Sequence, residues 1–147
     1  MNKNLKLTLY KPNNLNEIEL PLFSNKVRAG FPSPAEDHID QKLDLNQFLI
    51  KHPAATFFVR VEGDSMKNAG ISNGDILIVD RAITPQSGQI IVAILNGEFT
   101  VKRVKKQGQH LLLIPENPEF PLMEVTEESD FQVWGVVTYT IHSCMHS

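Results

Sequence analysis

The sequence predicts a mostly β protein: a compact folded or barrel-like β-sheet core with one short helix, preceded by an extended N-terminal arm. Short runs of β-branched and aromatic residues recur with turn signals between them. Nine prolines and eight glycines favour many turns over long helices. A single segment has convincing helical spacing. We predict an N-terminal arm over residues 1–40 and a folded core over residues 41–147.

Length and composition limit the class of protein. The 147 residues, 41% of them hydrophobic and 21% charged, suit one folded domain. A formal net charge of −3 argues against strong direct nucleic-acid binding, which requires a basic surface. No apolar run approaches the ~18 residues of a membrane span, and no secretory signal follows Lys3. One cysteine suits a reducing compartment, so we expect a cytoplasmic protein.

The arm is read from two short alternating pieces, Leu5–Leu9 and Ile18–Leu22, separated by the turn signal Pro12-Asn13-Asn14. A stiff exit, Phe31-Pro32-Ser33-Pro34, follows them. The arm has too few apolar residues for a core of its own. It must therefore lie on the rest of the protein or on a partner, or stay loose.

One helix is predicted from Asp44 to about His52. Asp44 is a good N-cap, Leu45, Phe48 and Leu49 form one apolar stripe, and Pro53 ends the segment. The rest is predicted as strands, with Asn96-Gly97 as a two-residue hairpin turn. The predicted strands are Thr56–Glu62, Asp75–Val79, Gln89–Leu95, Glu98–Lys105, His110–Ile114 and Phe131–Ile141.

The first candidate for chemistry is Ser65 in Gly63-Asp64-Ser65-Met66, where the first of these strands ends. A serine at such a turn can expose its hydroxyl beside backbone N–H groups, as acyl chemistry requires. The same composition is also that of an ordinary turn or helix cap.

The second candidate is Lys102, within Phe99–Val104. A lysine ordinarily titrates near ~10.4, so a base that works near neutrality needs a much lower pKa. Burial among apolar groups can lower it that far, which makes a Ser–Lys dyad possible without histidine. The alternative is a solvated strand face, since Arg103, Lys105 and Lys106 are close in sequence.

Other residues give weaker indications of a functional site than Ser65 and Lys102 do. None of the five histidines lies in a recognisable catalytic motif. His142, Cys144 and His146 alternate and could offer three metal ligands, but they lie at a chain end with no evident fourth, so we expect no metal and no cofactor. The small pair Ala29-Gly30 would fit a narrow cleft, or would simply be flexible linker.

A series of short motifs makes the sequence specific. In chain order they are Ala29-Gly30-Phe31-Pro32-Ser33-Pro34-Ala35, Asp44-Leu45-Asn46-Gln47, Gly63-Asp64-Ser65-Met66, Gly70-Ile71-Ser72, Gly74-Asp75, Leu77-Ile78-Val79-Asp80, Gly97-Glu98-Phe99-Thr100-Val101-Lys102 and Leu113-Ile114-Pro115. In this order and spacing the chain, from about Ala29 to about Tyr139, resembles the LexA/UmuD family of self-cleaving serine peptidases, and within it the UmuD-like members.

The resemblance implies a role for each motif. Ser65 would be the nucleophile, Lys102 the general base, and the backbone N–H groups of Asp64 and Ser65 the oxyanion hole. The scissile bond would be Ala29–Gly30. UmuD-like members often have Cys-Gly there and LexA-type repressors Ala-Gly. Both pairs are small, so this departure could alter the rate of cleavage without preventing it.

The resemblance also implies a biological setting, the SOS response to DNA damage. A RecA filament on single-stranded DNA would stimulate self-cleavage by favouring the docked arm. The shortened chain, residues 30–147, would form a homodimer and act as accessory subunit of a UmuC-like Y-family polymerase in translesion synthesis. Contacts with replicative polymerase subunits belong to the same expectation, and Phe131–Ile141 would lie near the dimer-forming end.

Three alternatives compete with this interpretation. A LexA or phage-repressor type regulator would need a DNA-binding domain of ~60 or more residues before the scissile pair. Only residues 1–28 precede Ala29, so we expect no such domain. A leader peptidase also uses serine and lysine but acts at membranes, and no anchor is predicted. A non-catalytic interaction module on the same fold would not need Ser65, Lys102 and Ala29-Gly30 to be intact.

Overall fold

A computed structural model describes residues 6–10, 19–23 and 39–145 of the chain. It confirms the prediction of a mostly β protein, with a curled half-barrel sheet as its main feature. The described residues form two compact units, one within Met1–Pro12 and His52–Ser147 and the other within Asn13–Lys51. The predicted boundary between an arm and a core, after residue 40, stays a prediction. Within the described residues, no helix is long and apolar enough to cross a bilayer.

The first unit contains one eight-stranded sheet in the order β1-β4-β5-β10-β6-β7-β8-β9. Every pair of neighbouring strands is antiparallel. The strands are β1 (Lys6–Tyr10), β4 (Thr56–Glu62), β5 (Ile76–Asp80), β6 (Ile90–Leu95), β7 (Glu98–Gln107), β8 (His110–Ile114), β9 (Met123–Val125) and β10 (Phe131–Ile141). Short 3₁₀ turns lie at Pro53–Ala55 and Lys67–Ala69.

Strand β10 joins the two halves of this sheet. One edge pairs with β5 and the other with β6, and the register shifts once along each ladder. Gly135 lies beside the shift against β6, where an added Cβ would stand 2.6 Å from Cγ1 of Val79. This close approach requires glycine.

The core lies on both faces of the sheet, as the alternation along β6 demonstrates. Ile91 and Ala93 belong to one buried cluster, and Val92 between them belongs to the other. Successive side chains of a strand point to opposite faces, so this part of the sheet is covered on both sides. Trp134 packs in the second of these clusters against Phe57 and Phe99, at ring-centroid distances of 5.1 and 5.6 Å.

The second unit contains β2 (Glu19–Phe23), β3 (Ile39–Asp44) and the helix α1 (Leu45–Leu49). Strands β2 and β3 pair antiparallel. Asp44 caps the helix as predicted, since its Oδ1 accepts a hydrogen bond of 2.9 Å from the N–H of Asn46. Of the apolar stripe, Leu45 and Phe48 are exposed.

The predicted strands of the core are confirmed: three have their predicted ends, and the ends of the other three move by one or two residues. The predicted helix end near His52 is wrong, because Ile50 already has extended dihedral angles. Residues immediately before a proline disfavour the α conformation, which shortens a helix that approaches Pro53. Strands β3 and β9 were not predicted. Strand β9 has only three residues, too few for a recognisable alternation.

Candidate active site

Ser65 lies on a tight turn three residues beyond the end of β4. Gly63 opens the turn with a φ of 112°, a conformation that favours glycine, and its N–H donates to Oδ1 of Asn73 at 3.0 Å. Met66 follows the serine and is fully buried in the core. The turn is therefore anchored on both sides of Ser65.

The Ser65 hydroxyl is buried and unpaired. The residue is 1% exposed, and its Oγ has no hydrogen-bond partner among the residues that the structure describes. An unpaired buried hydroxyl costs free energy, and such groups call for an explanation. A nucleophile that awaits its substrate and base is one explanation.

Asn117 fixes the peptide unit that precedes the serine. Its Nδ2 donates to the carbonyl of Asp64 at 2.7 Å, and its Oδ1 accepts from the N–H of Glu119 at 3.0 Å. The Asp64 carbonyl and the Ser65 N–H belong to one planar trans peptide, so they point in opposite directions. By holding the carbonyl, Asn117 determines where the Ser65 N–H points.

The loop that carries Asn117 is itself bonded to the serine turn. The N–H of Asn68 donates to the carbonyl of Glu116 at 2.7 Å, and the N–H of Glu116 lies 3.4 Å from Sδ of Met66. The Glu116 carboxylate pairs with Arg103 on β7. The loop thus links the turn with the strand that carries the candidate base.

Lys102 lies in the middle of β7, opposite Ile91 of β6. Its side chain is half-buried, and burial lowers the pKa of its ammonium below the ordinary value of a lysine. Among the described residues no hydrogen bond or ion pair holds the Lys102 ammonium. Lys105 and Lys106, two alternatives on the same strand, are exposed.

One cavity brings the two candidates to a common surface. Its volume is about 180 Å³, less than the roughly 300–1,000 Å³ of typical small-molecule pockets, so it suits short side chains. Its lining combines the serine and the lysine with three apolar and two polar residues. The lining residues are Ser65, Lys102, Leu95, Phe99, Phe120, Glu98 and Thr100.

Chemically, such an arrangement can perform acyl transfer. A lysine whose charged form is disfavoured can accept the proton of a serine hydroxyl, and oriented backbone N–H groups can stabilise the resulting oxyanion. The predicted scissile pair, Ala29-Gly30, lies outside the described residues. Its relation to the cavity is therefore a prediction from the sequence.

Two of the histidines pair with buried carboxylates. His52 and His142 each lie 2.6 Å, through Nδ1, from a buried carboxylate: Asp80 and Asp75, respectively. Neither borders the cavity of Ser65. Within the described residues no group of three His, Cys, Asp or Glu side chains could hold a metal, and His146 of the predicted trio lies outside them.

Sequence reasoning found Ser65 and Lys102 but missed Asn117, Asn73 and Phe120. The run Pro115-Glu116-Asn117-Pro118 is typical of an exposed turn, whereas Asn117 is only 2% exposed. A pattern of turn residues does not reveal which of them is buried. The family motif that ends at Pro115 was the one signal that pointed to this loop.

Comparison with known proteins gives matches over most of the chain. The family model described as Peptidase S24-like matches residues 21–138. Protein SamA of Salmonella typhimurium is 48% identical over 122 residues, which are 83% of this chain and 84% of that protein. Protein MucA of Escherichia coli is 36% identical over 139 residues, 93% of this chain and 94% of MucA.

A LexA repressor is also similar. The repressor of Paracidovorax citrulli is 37% identical over 131 residues, 89% of this chain but 58% of the repressor. The span that matches the family model contains Ala29-Gly30, Ser65 and Lys102.

Proposed function

Because the chain belongs to the peptidase S24 family, as a UmuD-like member of the LexA/UmuD group, we propose that it cleaves its own Ala29–Gly30 bond with a Ser65–Lys102 dyad. Family membership makes it a serine peptidase of the self-cleaving, SOS-related kind. Our proposal adds to family membership the bond that is cleaved, the catalytic dyad and the biological role.

The proposed reaction begins at the buried hydroxyl. The neutral Lys102 amine takes the proton of Ser65, and Oγ attacks the carbonyl carbon of Ala29. The N–H groups of Asp64 and Ser65 stabilise the oxyanion. The protonated amine then gives its proton to the departing amine of Gly30, and water hydrolyses the acyl-serine.

The observation that carries the proposal is the shared cavity. Ser65, with an unpaired hydroxyl, and Lys102, with a pKa lowered by burial, border the same small space. Perturbed ionisable groups in a cleft are typical of functional sites. Docking of the arm would remove further water from Lys102 and so favour its neutral form.

The biological role follows the family. We propose that a RecA filament on single-stranded DNA favours the docked arm, that the product is a dimer, and that the dimer serves a UmuC-like translesion polymerase in the cytoplasm. The relatives SamA and MucA support this assignment, since each matches nearly its whole length. Contacts with replicative polymerase subunits are part of the same proposal.

A second candidate is a self-cleaving transcription regulator of the LexA type. The match to a LexA repressor over 89% of this chain favours it. Titration of the protein with duplex DNA at moderate salt separates the two candidates. Sequence-specific binding would favour the regulator, and weak binding that salt abolishes would favour the polymerase subunit.

Intact-mass spectrometry tests the self-cleavage. Wild-type protein, incubated at alkaline pH or with a RecA–single-stranded-DNA filament and nucleotide, should yield a fragment that begins at Gly30. Ser65→Ala and Lys102→Ala should yield none. Lys105→Ala, which changes an exposed lysine of the same strand, should cleave like wild type. Absence of the fragment from wild type, or its presence in Ser65→Ala, would contradict the proposal.

A further inference from the structure

Strand β1 is the end strand of the eight-stranded sheet, and it precedes the Ala29–Gly30 bond in the chain. We propose that the edge of β4 that faces β1 is an exchangeable binding site for an extended peptide. In the uncut chain β1 occupies this edge, and after cleavage the Met1–Ala29 fragment occupies it as a dissociable ligand. The inference rests on the proposed function for the position of the cut.

The ladder between β1 and β4 is short and regular. Five residues of each strand are in register, from Lys6 opposite Glu62 to Tyr10 opposite Phe58. The other edge of β4 pairs with β5. Without β1, strand β4 would therefore become the end of the sheet, with one row of unpaired backbone groups.

The hydrogen bonds of Val61 determine which groups form that row. Its N–H donates to the carbonyl of Asp75 at 2.9 Å, and its carbonyl accepts from the N–H of Gly74 at 2.8 Å. The backbone groups of Val61 therefore face the β5 side. Backbone groups of successive strand residues point to opposite edges. The N–H groups of Phe58, Arg60 and Glu62 therefore face β1, whereas those of Val59 and Val61 face β5.

Side chains add an apolar contact to the ladder. Leu7 packs against the core cluster that contains Val59 and Val61, both fully buried. Leu9 is 39% exposed, so it contributes less. The edge thus takes an extended strand with an apolar residue at the Leu7 position, the mode of recognition known as β-augmentation.

Cleavage changes how strongly this strand is held. In the uncut chain β1 is covalently tethered to β4 through residues 11–55, so the pairing of the two strands is intramolecular. After cleavage only non-covalent pairing holds the fragment, through β1 on β4 and β2 on β3, and ladders as short as these are weak on their own. When the fragment dissociates, the edge of β4 loses its strand partner. This edge, next to the serine turn, can then pair with another extended segment.

The test separates the edge from the peptidase chemistry. In the Ser65→Ala protein, residues 27–32 are replaced by the recognition sequence of an added site-specific protease, which makes the cut. The N-terminal fragment should co-elute with the remainder at high concentration and be lost on dilution. A synthetic peptide of residues 3–13, which contains β1 but not β2, should compete with the fragment for the edge of β4.

Amide hydrogen exchange, followed residue by residue, gives the specific readout. On dilution of the cut protein, the amides of Phe58, Arg60 and Glu62 should exchange at least about tenfold faster, because they lose their strand partners. Those of Val59 and Val61, which face β5, should keep their protection.

Two proline variants of the same cut protein provide a matched control. Thr8 is opposite Arg60, so its N–H faces β4, whereas the N–H of Leu9 faces the outer edge. In hydrogen exchange, Thr8→Pro should remove the protection of Phe58, Arg60 and Glu62, and Leu9→Pro should largely preserve it, since an outward-facing edge position tolerates proline.

Three results would overturn the inference: separate elution of the fragment at every concentration, equal exchange of all five amides, or identical behaviour of the two proline variants. Failure of the wild-type protein to cleave itself would overturn the proposed function. It would leave the edge result standing, because the added protease makes the cut.

Discussion

At the scale of single residues, the candidate site depends on one peptide unit and one amine. Asn117 holds the carbonyl of Asp64 and thereby orients the Ser65 N–H, one of the two proposed oxyanion donors. Lys102 is the proposed base, since burial disfavours the charged form of its amine. Each feature can be altered without touching the nucleophile.

Asn117→Asp should slow self-cleavage by about 10- to 100-fold, somewhat less than the loss of an oxyanion donor. The carboxylate lacks the N–H₂ that holds Asp64, while it keeps an acceptor for Glu119. The rate constant of cleavage, measured against pH, should fall in its plateau, because the Ser65 N–H is no longer held in place.

Asn73→Asp is the matched control for that variant. Asn73 uses its Oδ1 as acceptor for the N–H of Gly63, and an aspartate keeps this acceptor. Cleavage should be nearly unchanged. Equal losses of cleavage rate in the two variants would contradict the role assigned to Asn117. Circular dichroism of both establishes that they fold.

Lys102→Met should abolish cleavage and stabilise the fold by about 1 kcal/mol near neutral pH, a typical size for one substitution. The lowered pKa means that the folded state disfavours the ammonium. This penalty is fully present below the folded pKa and disappears as pH rises past the unfolded pKa of a lysine. The free energy of unfolding that Lys102→Met gains over wild type should therefore be smaller at high pH.

Urea denaturation at pH 6 and pH 10 measures this difference. Lys105→Met, at an exposed position of the same strand, is the control and should change the free energy of unfolding little at either pH. A Lys102→Met protein that is less stable than wild type at pH 6 would argue against desolvation as the cause.

The residue scale also defines what the sequence could predict. Ser65 and Lys102 were found because their motifs resemble a family and their chemistry is rare. Asn117 was not found, because the sequence Pro115-Glu116-Asn117-Pro118 does not reveal whether the asparagine amide is hydrogen-bonded to water or to a buried carbonyl. Only the fold decides between these environments.

At the scale of elements, β10 holds the candidate site together. Strands β4 and β5 lie on the side of the serine turn, and β6 and β7 on the side of Lys102. β10 pairs with β5 and with β6, so the relative placement of the two halves depends on its register.

Gly135→Ala should destabilise the protein by about 1–3 kcal/mol and slow self-cleavage. The new methyl would lie 2.6 Å from Val79 and 3.2 Å from Arg81, which forces the strands apart. Urea denaturation measures the loss. Gln132→Ala, at an exposed position of the same strand, should change stability by less than about 0.5 kcal/mol. Equal effects would refute the packing argument.

The elements that could be predicted were those with enough residues to display a pattern. Strands β4 and β8 were predicted with their observed ends, since turn residues bound a β-branched or apolar run at each side. Strand β9 is too short for this, and the end of α1 depends on the conformation of Ile50.

At the scale of the whole molecule, an eight-stranded sheet curls so that residues far apart in sequence border one cavity. Ser65 follows β4 and Lys102 lies on β7, and no local pattern brings them together. Their proximity was expected from the resemblance to a family and not from periodicity. The mild net charge of −3 suits a protein that reaches DNA through partners.

The central claim is that Ser65 and Lys102 act together in this cavity. The direct test is the rate at which a fluorophosphonate labels the protein, followed against pH and located by peptide mass spectrometry. The account predicts an adduct on Ser65 alone, with a rate that rises to a plateau below the ordinary pKa of a lysine. Lys102→Ala should abolish labelling and Lys105→Ala should not. Labelling at another residue, or undiminished labelling in Lys102→Ala, would contradict the account.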